Sequence, residues 1–267
     1  MDKTKRAFEL DALRGLALFG MILHHLIFDF RYMLGMNIFA FQDTKWFLYI
    51  VRPVFIIVFL VVSGICCQFS RSNVKRALKL FGIALLFSLA MGLLSYFMKQ
   101  DLYVIFNVLH LLTVGTLLYG LFYMIENRII RKSSDRAETE GIRLSTYGDI
   151  ILVLFASILL YASELIPVYS SSITGYWLLP LGFLPPNFIG MGDYMPIFPW
   201  LGFFFIGVVI GRFAYRQKRS IFPNAPKAML SISVPFEWLG RNSLLIYVFH
   251  QPLILAILFG LRYLGVW

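Results

Sequence analysis

The sequence predicts an all-α, polytopic integral membrane protein with about seven transmembrane helices. Of its 267 residues, 59% are hydrophobic and only 14% are charged, whereas soluble domains carry about 25% charged residues. The mean hydropathy is +0.76, and aromatic residues reach 17%, as expected for spans that end in interfacial aromatic belts. The apolar residues also come in runs of roughly 20, the length that crosses a bilayer.

The apolar runs show no repeat of fixed period, so a single transmembrane domain over 1–267 is the simplest organisation. Cys66 and Cys67 lie inside the second run as small packing residues, and neither a disulfide framework nor a metal site is expected. The predicted spans cover about 9–31, 46–69, 77–97, 102–125, 149–168, 197–215 and 238–261.

The net charge of +10 follows the connections between the spans. Connections on one side hold only Arg31, Lys45 and Lys99, whereas the opposite side carries basic clusters at 3–6, 71–76, 128–143 and 216–227. The positive-inside rule then predicts a plasma or inner-membrane protein with a cytoplasmic N-terminus and an extracytoplasmic C-terminus. Topology and anionic membrane lipid account for the charge, so no nucleic-acid partner is expected.

Two connections are long. Residues 126–148 are polar and of mixed charge, which predicts a flexible cytoplasmic loop. Residues 170–196 are apolar and rich in Pro and Gly, and they include Trp177. We expect this second connection to form an extracytoplasmic lid, packed on protein that shields its backbone.

The first predicted span carries an unusual set of ionisable residues for a membrane helix. At 100° per residue, Asp11, Arg14, His25 and Asp29 fall on one narrow stripe, and His24 points about 100° away from His25. Because an ionisable group in a span costs about 2.5–3.5 kcal/mol on insertion scales, the stripe should face protein or water. His25 and Asp29 have the spacing of a general base oriented by a carboxylate. A carboxylate that anchors the helix end is the alternative for Asp29.

Three of the four histidines are expected at one depth. Counting 1.5 Å per residue along each span places His25, His110 and His250 in one layer, together with Asn107 and Arg52. We predict that His25 is the base, and that His110, His250 or Asn107 donates to a developing oxyanion. Hydrogen bonds that only join helices are the alternative for each histidine.

Four segments carry a resemblance to a known family. They are Leu10-Asp11-x-x-Arg14-Gly15 with His25 ten residues further on, Val62–Leu86, Asp193–Arg212 and Trp238–Pro252. Together they resemble the heparan-α-glucosaminide N-acetyltransferase family of integral membrane acyltransferases, in its small bacterial versions, which is related to the acyltransferase-3 group. The resemblance covers nearly the whole chain.

The resemblance implies a reaction. An acyl group, most simply acetyl, would pass from cytoplasmic acetyl-CoA to an amino sugar or glycan on the far side of the membrane, either directly or through an acyl-histidine. The lysosomal member of the family has its active-site histidine in the segment after the first helix, where this chain has none between Asp29 and Trp46. The Arg-x10-His pattern therefore carries that role over to His25.

With acyl-CoA as the donor, basic residues near the cytoplasmic end become candidates for its phosphates. Arg14 lies about 16 Å below His25 along the same face, which fits a molecule with phosphates at one end and a thioester at the other. A planar guanidinium binds phosphate well. An ion pair with Asp11 is the alternative for Arg14. The other candidates are Arg241, Ser243, Arg71 and Arg76.

Residues near the outer face are candidates for the acceptor. Polar groups can bind sugar hydroxyls, and an indole ring can stack on a sugar ring. The candidates are Glu164, Asp193, Trp177 and, from the histidine layer, Arg52. Ordinary interfacial residues are the alternative for each of them.

A transporter or channel is the alternative function, because a polar seam across the membrane also describes a solute path. Seven spans without an inverted repeat suit alternating access poorly. A purely structural membrane protein would leave the polar layer without a role. The sequence contains no Ser-x-x-Lys, Gly-x-Ser-x-Gly or His-x-x-x-His motif, so neither a serine nucleophile nor a metal is expected. A homodimer is left open.

Overall fold

The computed structural model describes residues 7–36, 38–98, 103–134, 138–166, 176–185, 188 and 193–265. Within these ranges the chain is all-α and has no β-strand, which confirms the predicted fold class. Its α-helices are α1 (Phe8–Phe28), α2 (Arg52–Ile65), α3 (Asn73–Met98), α4 (Val108–Ser134), α5 (Glu138–Ala162), α6 (Trp200–Ala214), α7 (Lys227–Arg241) and α8 (Ser243–Tyr263).

Six helical stretches of the described chain are long and apolar enough to cross a membrane. A seventh, α6, is equally apolar but has 15 residues. It is therefore about 22 Å long, against about 30 Å for a hydrocarbon core. These seven stretches correspond to the predicted spans. The six long ones are Phe8–Tyr32, Phe47–Phe69, Asn73–Phe97, Val108–Lys132, Arg143–Ala162 and Ser243–Tyr263.

The connection predicted as a flexible loop is largely helical. Of residues 126–148, those up to Ser134 continue α4 and those from Glu138 onwards begin α5. The polar composition indicates contact with water, but Glu, Arg and Lys are also strong helix formers. Both helices therefore extend beyond their apolar parts.

The last span begins later than predicted, at Ser243 rather than near residue 238. A separate helix, α7, ends at Arg241, and Asn242 forms the junction. The Asn242 side chain donates to the carbonyl of Trp238 (2.9 Å), while its own carbonyl accepts from the Ile246 N–H (3.0 Å). One residue thus closes the first helix and starts the next, as Asn readily does at helix ends.

The chain divides into two compact units. The first comprises Met1–Val62 with Gln217–Trp267, and the second comprises Ser63–Arg216, so the boundary falls within α2. Each unit is described by itself. The single functional domain expected from the sequence stays a prediction.

In the first unit, α1 and α7 meet backbone to backbone. A Cβ atom built on Gly15 would lie 1.8 Å from the Phe236 carbonyl oxygen, and one on Gly240 would lie 1.9 Å from the Asp11 carbonyl oxygen. Two glycines at one crossing let membrane helices approach this closely. On another face of α1, Gly20 accommodates the Phe55 ring of α2.

The α7 helix has an inverted pattern of exposure. Its buried residues are Ser233, Glu237 and Gly240, whereas Ile232 is 71% and Trp238 62% exposed. A helix at an aqueous surface buries its apolar face and exposes its polar one. The reverse pattern suits surroundings of lipid, in which polar side chains turn toward protein.

In the second unit, α6 is the central helix. Leu201, Phe204, Phe205 and Val208 are all at most 2% exposed. The carbonyl of Phe204 passes so close to Gly64 that a Cβ there would lie 2.0 Å from its oxygen. These contacts bury α6 on several sides, which agrees with its nearly continuous apolar sequence.

A buried ion cluster joins α4, α5 and α6. The two terminal nitrogens of Arg212 donate to the two carboxylate oxygens of Glu126, each over 2.7 Å. The Arg212 Nε donates to Asp149. The side chains of Arg212 and Glu126 are 10% and 8% exposed, so this bidentate pair is held away from solvent. Gly148 makes room for the Glu126 carboxylate, because a Cβ there would lie 2.0 Å from Oε1.

We predict that Gly240→Ala destabilises the protein, because the new methyl group would overlap the Asp11 carbonyl. Overpacking of this kind costs about 1–3 kcal/mol. The matched control is Gly260→Ala in α8, where no heavy atom lies within 4 Å of the new Cβ. Thermal unfolding in detergent should show a lower midpoint for Gly240→Ala only. An equal shift in both variants would contradict the close crossing.

We also predict that Arg212→Met is strongly destabilising, because it leaves two carboxylates without their cation. Removing one partner of a buried ion pair costs about 3–5 kcal/mol. The matched control is Arg31→Met, whose partner Asp43 is 44% exposed and whose loss should change stability little. The same unfolding measurement compares the two. Similar midpoints for both variants would show that the Arg212 cluster is not a stabilising element.

Candidate active site

Two histidines of the first unit face each other from α1 and α8. The ring centroids of His25 and His250 are 5.1 Å apart and the rings are inclined at 57°. His250 is buried, at 7% exposed, and His25 is half-buried. Sequence reasoning placed both at one depth by counting from residue 238. Because α8 starts at Ser243, His250 is only about 10 Å along that helix, yet the pairing with His25 is present.

The hydrogen bonding of His250 fixes which ring nitrogen is basic. Its Nδ1 lies 2.7 Å from the backbone carbonyl of Tyr247. A carbonyl oxygen only accepts, so Nδ1 carries the hydrogen and, in the neutral ring, Nε2 carries the lone pair. A backbone carbonyl that orients a histidine in this way is a common arrangement for a ligand or a general base.

Asp29 lies one turn beyond His25 and is 1% exposed. Gln251 donates to it, over 2.9 Å between Nε2 and Oδ2. The sequence predicted that Asp29 orients His25 as a general base, which stays a prediction, and it assigned Gln251 no role. At Asp29, α1 passes into a π-helical turn, Asp29–Met33, a local geometry frequent at functional sites.

His24 contacts a residue that sequence reasoning missed altogether. Gln42, in the 3₁₀ turn Ala40–Asp43, is 2% exposed. Its Nε2 lies 2.8 Å from His24 Nδ1 and 3.1 Å from the His24 carbonyl oxygen. The sequence does not single Gln42 out, because Asn37, Asp43 and Lys45 also make this connection polar; only its burial shows that the amide needs partners.

The turn that carries Gln42 is tied to the end of α1. Arg31 donates to the Ile38 carbonyl (3.1 Å) and to the Asp43 carboxylate, and the Tyr32 hydroxyl donates to the same carboxylate. The Tyr32 hydrogen bond, followed by the Arg31 guanidinium, lowers the pKa of Asp43. The turn therefore has a defined position next to the histidines.

The opposite end of α1 holds the residues predicted to bind phosphate. Arg241 donates from Nη2 to Glu237 (2.7 Å) and from Nε to Asp11 (3.3 Å), and it stays 42% exposed. Arg14 and Ser243 are half-buried on α1 and α8. An incoming phosphate would compete with two carboxylates for Arg241. Its phosphate role, like that of Arg14 and Ser243, stays a prediction.

In the second unit, Asn107 is fully buried, at 0% exposed. Its Oδ1 accepts from the N–H groups of Leu109 (3.1 Å) and His110 (3.4 Å) and lies 2.9 Å from His110 Nδ1. These bonds cap α4 and fix the amide orientation. Nδ2 is buried and has no hydrogen-bond partner among the described residues. That the amide and His110 join His25 and His250 in one layer concerns both units and stays a prediction.

The sequence matches the family model of the heparan-α-glucosaminide N-acetyltransferase catalytic domain over residues 6–132 and 141–252. This match extends over most of the chain and includes His25, His250 and their partners. The chain belongs to the heparan-α-glucosaminide N-acetyltransferase family. Comparison with the curated proteins and with the solved structures gave no match.

Membership of this family makes the chain a membrane acyltransferase, since the family comprises acetyltransferases that use acetyl-CoA as co-substrate. The recognition from the sequence motifs is therefore confirmed. Within the described ranges, no three His, Cys, Asp or Glu side chains are grouped as metal ligands would be.

The other residues that the sequence proposed for binding acetyl-CoA or the acceptor lie in several places. Arg52 is exposed at the first residue of α2, Arg71 is exposed before α3, and Arg76 is half-buried in the first turn of α3. Glu164 is exposed after α5 and Asp193 is half-buried. Their roles in binding stay predictions.

The predicted lid is described in part. Trp177 is 77% exposed on a 3₁₀ helix, Tyr176–Leu181, while residues 170–175, 186–187 and 189–192 lie outside the described ranges. Tyr194 donates to the Leu179 carbonyl (2.7 Å), and the Ile197 N–H donates to the Pro180 carbonyl (2.7 Å). Burial raises the pKa of Tyr194 to about 12, so its phenol stays a neutral donor.

Proposed function

We propose that the chain transfers an acetyl group from acetyl-CoA, bound from the cytoplasmic side, to an amine or hydroxyl of an acceptor on the far side of the membrane. An amino sugar or glycan is the acceptor class that the family name supports. The observation that carries the proposal is the His25–His250 pair, in which the Tyr247 carbonyl leaves the His250 Nε2 as the basic atom.

The chemistry needs a proton acceptor at one point. As the acceptor nitrogen or oxygen attacks the thioester carbon, it loses a proton to an imidazole of the pair, a step typically worth about 10²–10⁴ in rate. The new C–N or C–O bond forms and the C–S bond breaks. The imidazolium then returns its proton to the departing thiolate. The Asp29 carboxylate, one turn beyond His25 and buried, would stabilise positive charge on the pair.

The length of α1 supports an extended donor. Arg14 precedes His25 by eleven residues, which is about 16 Å of helix. Phosphates at Arg14 would leave the pantetheine arm to cover this distance and bring the thioester to the histidines. The basic clusters near 3–6 and 128–143 favour a cytoplasmic location for the Arg14 end.

We predict that binding and turnover separate in point variants. Arg14→Ala should weaken acetyl-CoA binding about tenfold to a hundredfold, because one charge-assisted contact is lost. His25→Ala and His250→Ala should keep binding and lose turnover. Isothermal titration with acetyl-CoA and release of free CoA thiol measure the two properties. The control is Arg262→Ala, an exposed arginine in the last turn of α8. Unchanged binding in Arg14→Ala would remove Arg14 from the phosphate site.

The proposed orientation makes a separate prediction. A reporter fused after Trp267 should read as extracytoplasmic, and one inserted at 135–137, between α4 and α5, should read as cytoplasmic. Paired alkaline phosphatase and fluorescent protein fusions in a bacterial host provide the measurement. Both reporters on one side would mean that the number of spans between them differs from three.

A further inference from the structure

The Gln42 side chain has one end satisfied and the other end unused. Its Nε2 donates to the His24 carbonyl oxygen (3.1 Å), and because a backbone carbonyl only accepts, this bond fixes the orientation of the amide. Oε1 then faces away from His24. That oxygen is buried and has no hydrogen-bond partner in the part of the chain that the structure describes. Proteins seldom leave a buried amide oxygen without a hydrogen-bond partner, and a functional role is one of the usual reasons when they do.

The same bond pattern determines the state of His24. Gln42 Nε2 also lies 2.8 Å from His24 Nδ1. Since Nε2 is a donor, Nδ1 must accept, and the neutral ring carries its hydrogen on the other nitrogen. A second proton on Nδ1 would face the amide hydrogens. The contact therefore suits the tautomer in which His24 Nδ1 is unprotonated.

The surroundings of this pair are aromatic. The His24 ring has its centroid 5.7 Å from that of Phe47 and 6.4 Å from that of Phe28. Asp43, the adjacent carboxylate, is already bonded to Arg31 and Tyr32. A donor group that reaches the Gln42 amide thus comes to a part of the chain where aromatic rings lie near His24 and the nearby charges already bond each other, a combination that suits a sugar ring and its amine or hydroxyl.

Neutrality has a chemical consequence for the reaction. An ammonium group has no lone pair and cannot attack a thioester, whereas a neutral amine can. A carboxylate at position 42 would favour the ammonium form of an acceptor. An amide oxygen accepts one hydrogen of the neutral amine, or of a hydroxyl, without holding an extra proton on it.

Gln42 also lies at the end of α1 at which the acceptor is expected. It reaches His24, next to His25, from the connection that follows α1, whereas Arg14 lies toward the start of α1. If the phosphates of acetyl-CoA occupy the Arg14 end, the acceptor enters from the Gln42 end. A pantetheine amide N–H is the other possible source of the donor, and the experiment separates the two.

We propose that Gln42 binds the acyl acceptor, with Oε1 accepting a hydrogen bond from the neutral amine or hydroxyl group of an amino sugar. The inference rests on the proposed function and names its acceptor-binding residue. Gln42 touches the acceptor, and through Nε2 it holds the neighbouring His24.

The experiment measures label transfer from radiolabelled acetyl-CoA to glucosamine by the full chain in detergent. Gln42→Met, of similar size, loses both ends of the amide and should raise KM for glucosamine about three- to tenfold, with KM for acetyl-CoA unchanged. Gln42→Glu keeps an oxygen acceptor and favours the ammonium form of glucosamine but loses the donor to His24, so it should leave KM for glucosamine at or below the wild-type value and lose turnover. The control is Thr44→Val, since that hydroxyl, within the described part of the chain, bonds to the Phe41 carbonyl in the same connection.

The outcomes separate the hypotheses. If the Gln42→Met and Gln42→Glu variants both lose turnover but keep the wild-type KM for glucosamine, Gln42 only positions His24 and the inference is wrong. If Gln42→Met instead raises KM for acetyl-CoA, Gln42 Oε1 binds the pantetheine arm rather than the acceptor. That result would also overturn the inference. If the wild type binds acetyl-CoA but labels no glucosamine, the proposed acceptor class fails first. Should the methionine variant lose its thermal transition, Gln42→Asn, which shortens the amide, gives the same KM test.

Discussion

The organising constraint is the cost of a polar group in apolar surroundings. Asp29 is 1% exposed within a stretch that can cross a membrane, and an unpaired carboxylate there would cost several kcal/mol or lose its charge. Gln251 supplies the donor (2.9 Å) and so fixes α1 against α8 at this height. The same requirement places Gln42 on His24 and Arg212 between Glu126 and Asp149. Each polar contact therefore also sets the relative position of two chain segments.

Glycine has a complementary part in the first unit. Without Gly15 and Gly240, the α1 and α7 backbones could not approach within the distance that their contact requires. This crossing brings Arg241 to Asp11 and buries Glu237. The outward face of α7 is consequently left with Ile232 and Trp238, an exposure that suits lipid. The sequence alone suggested a span from 238, because Trp238 and the apolar residues after Asn242 form one hydropathy window.

Sequence reasoning succeeded where one physical signal dominates. The apolar runs gave the order of the spans; the charge stripe of α1 pointed to His25 and Asp29, whose catalytic roles stay predictions. It missed the roles of Gln42 and Gln251, because an uncharged amide barely changes the hydropathy of an apolar run. A buried amide nevertheless needs hydrogen-bond partners, as a buried charge does. It also placed His250 by counting from the wrong residue. Heights on different helices depend on where each helix starts, and the Asn242 junction was not recognised as a start.

The histidines of the first unit show what the hydrogen-bond pattern adds to a list of residues. His250 gives its Nδ1 hydrogen to a carbonyl, which leaves Nε2 as an acceptor. His24 accepts at Nδ1, which leaves Nε2 as a donor. The ring centroid of His25 is 5.1 Å from that of His250 and 5.7 Å from that of His24. The tautomers of His250 and His24 thus follow from a backbone carbonyl and an amide at Nδ1, which leaves His250 Nε2 able to accept the proton that the attacking group loses and His24 Nε2 able to donate.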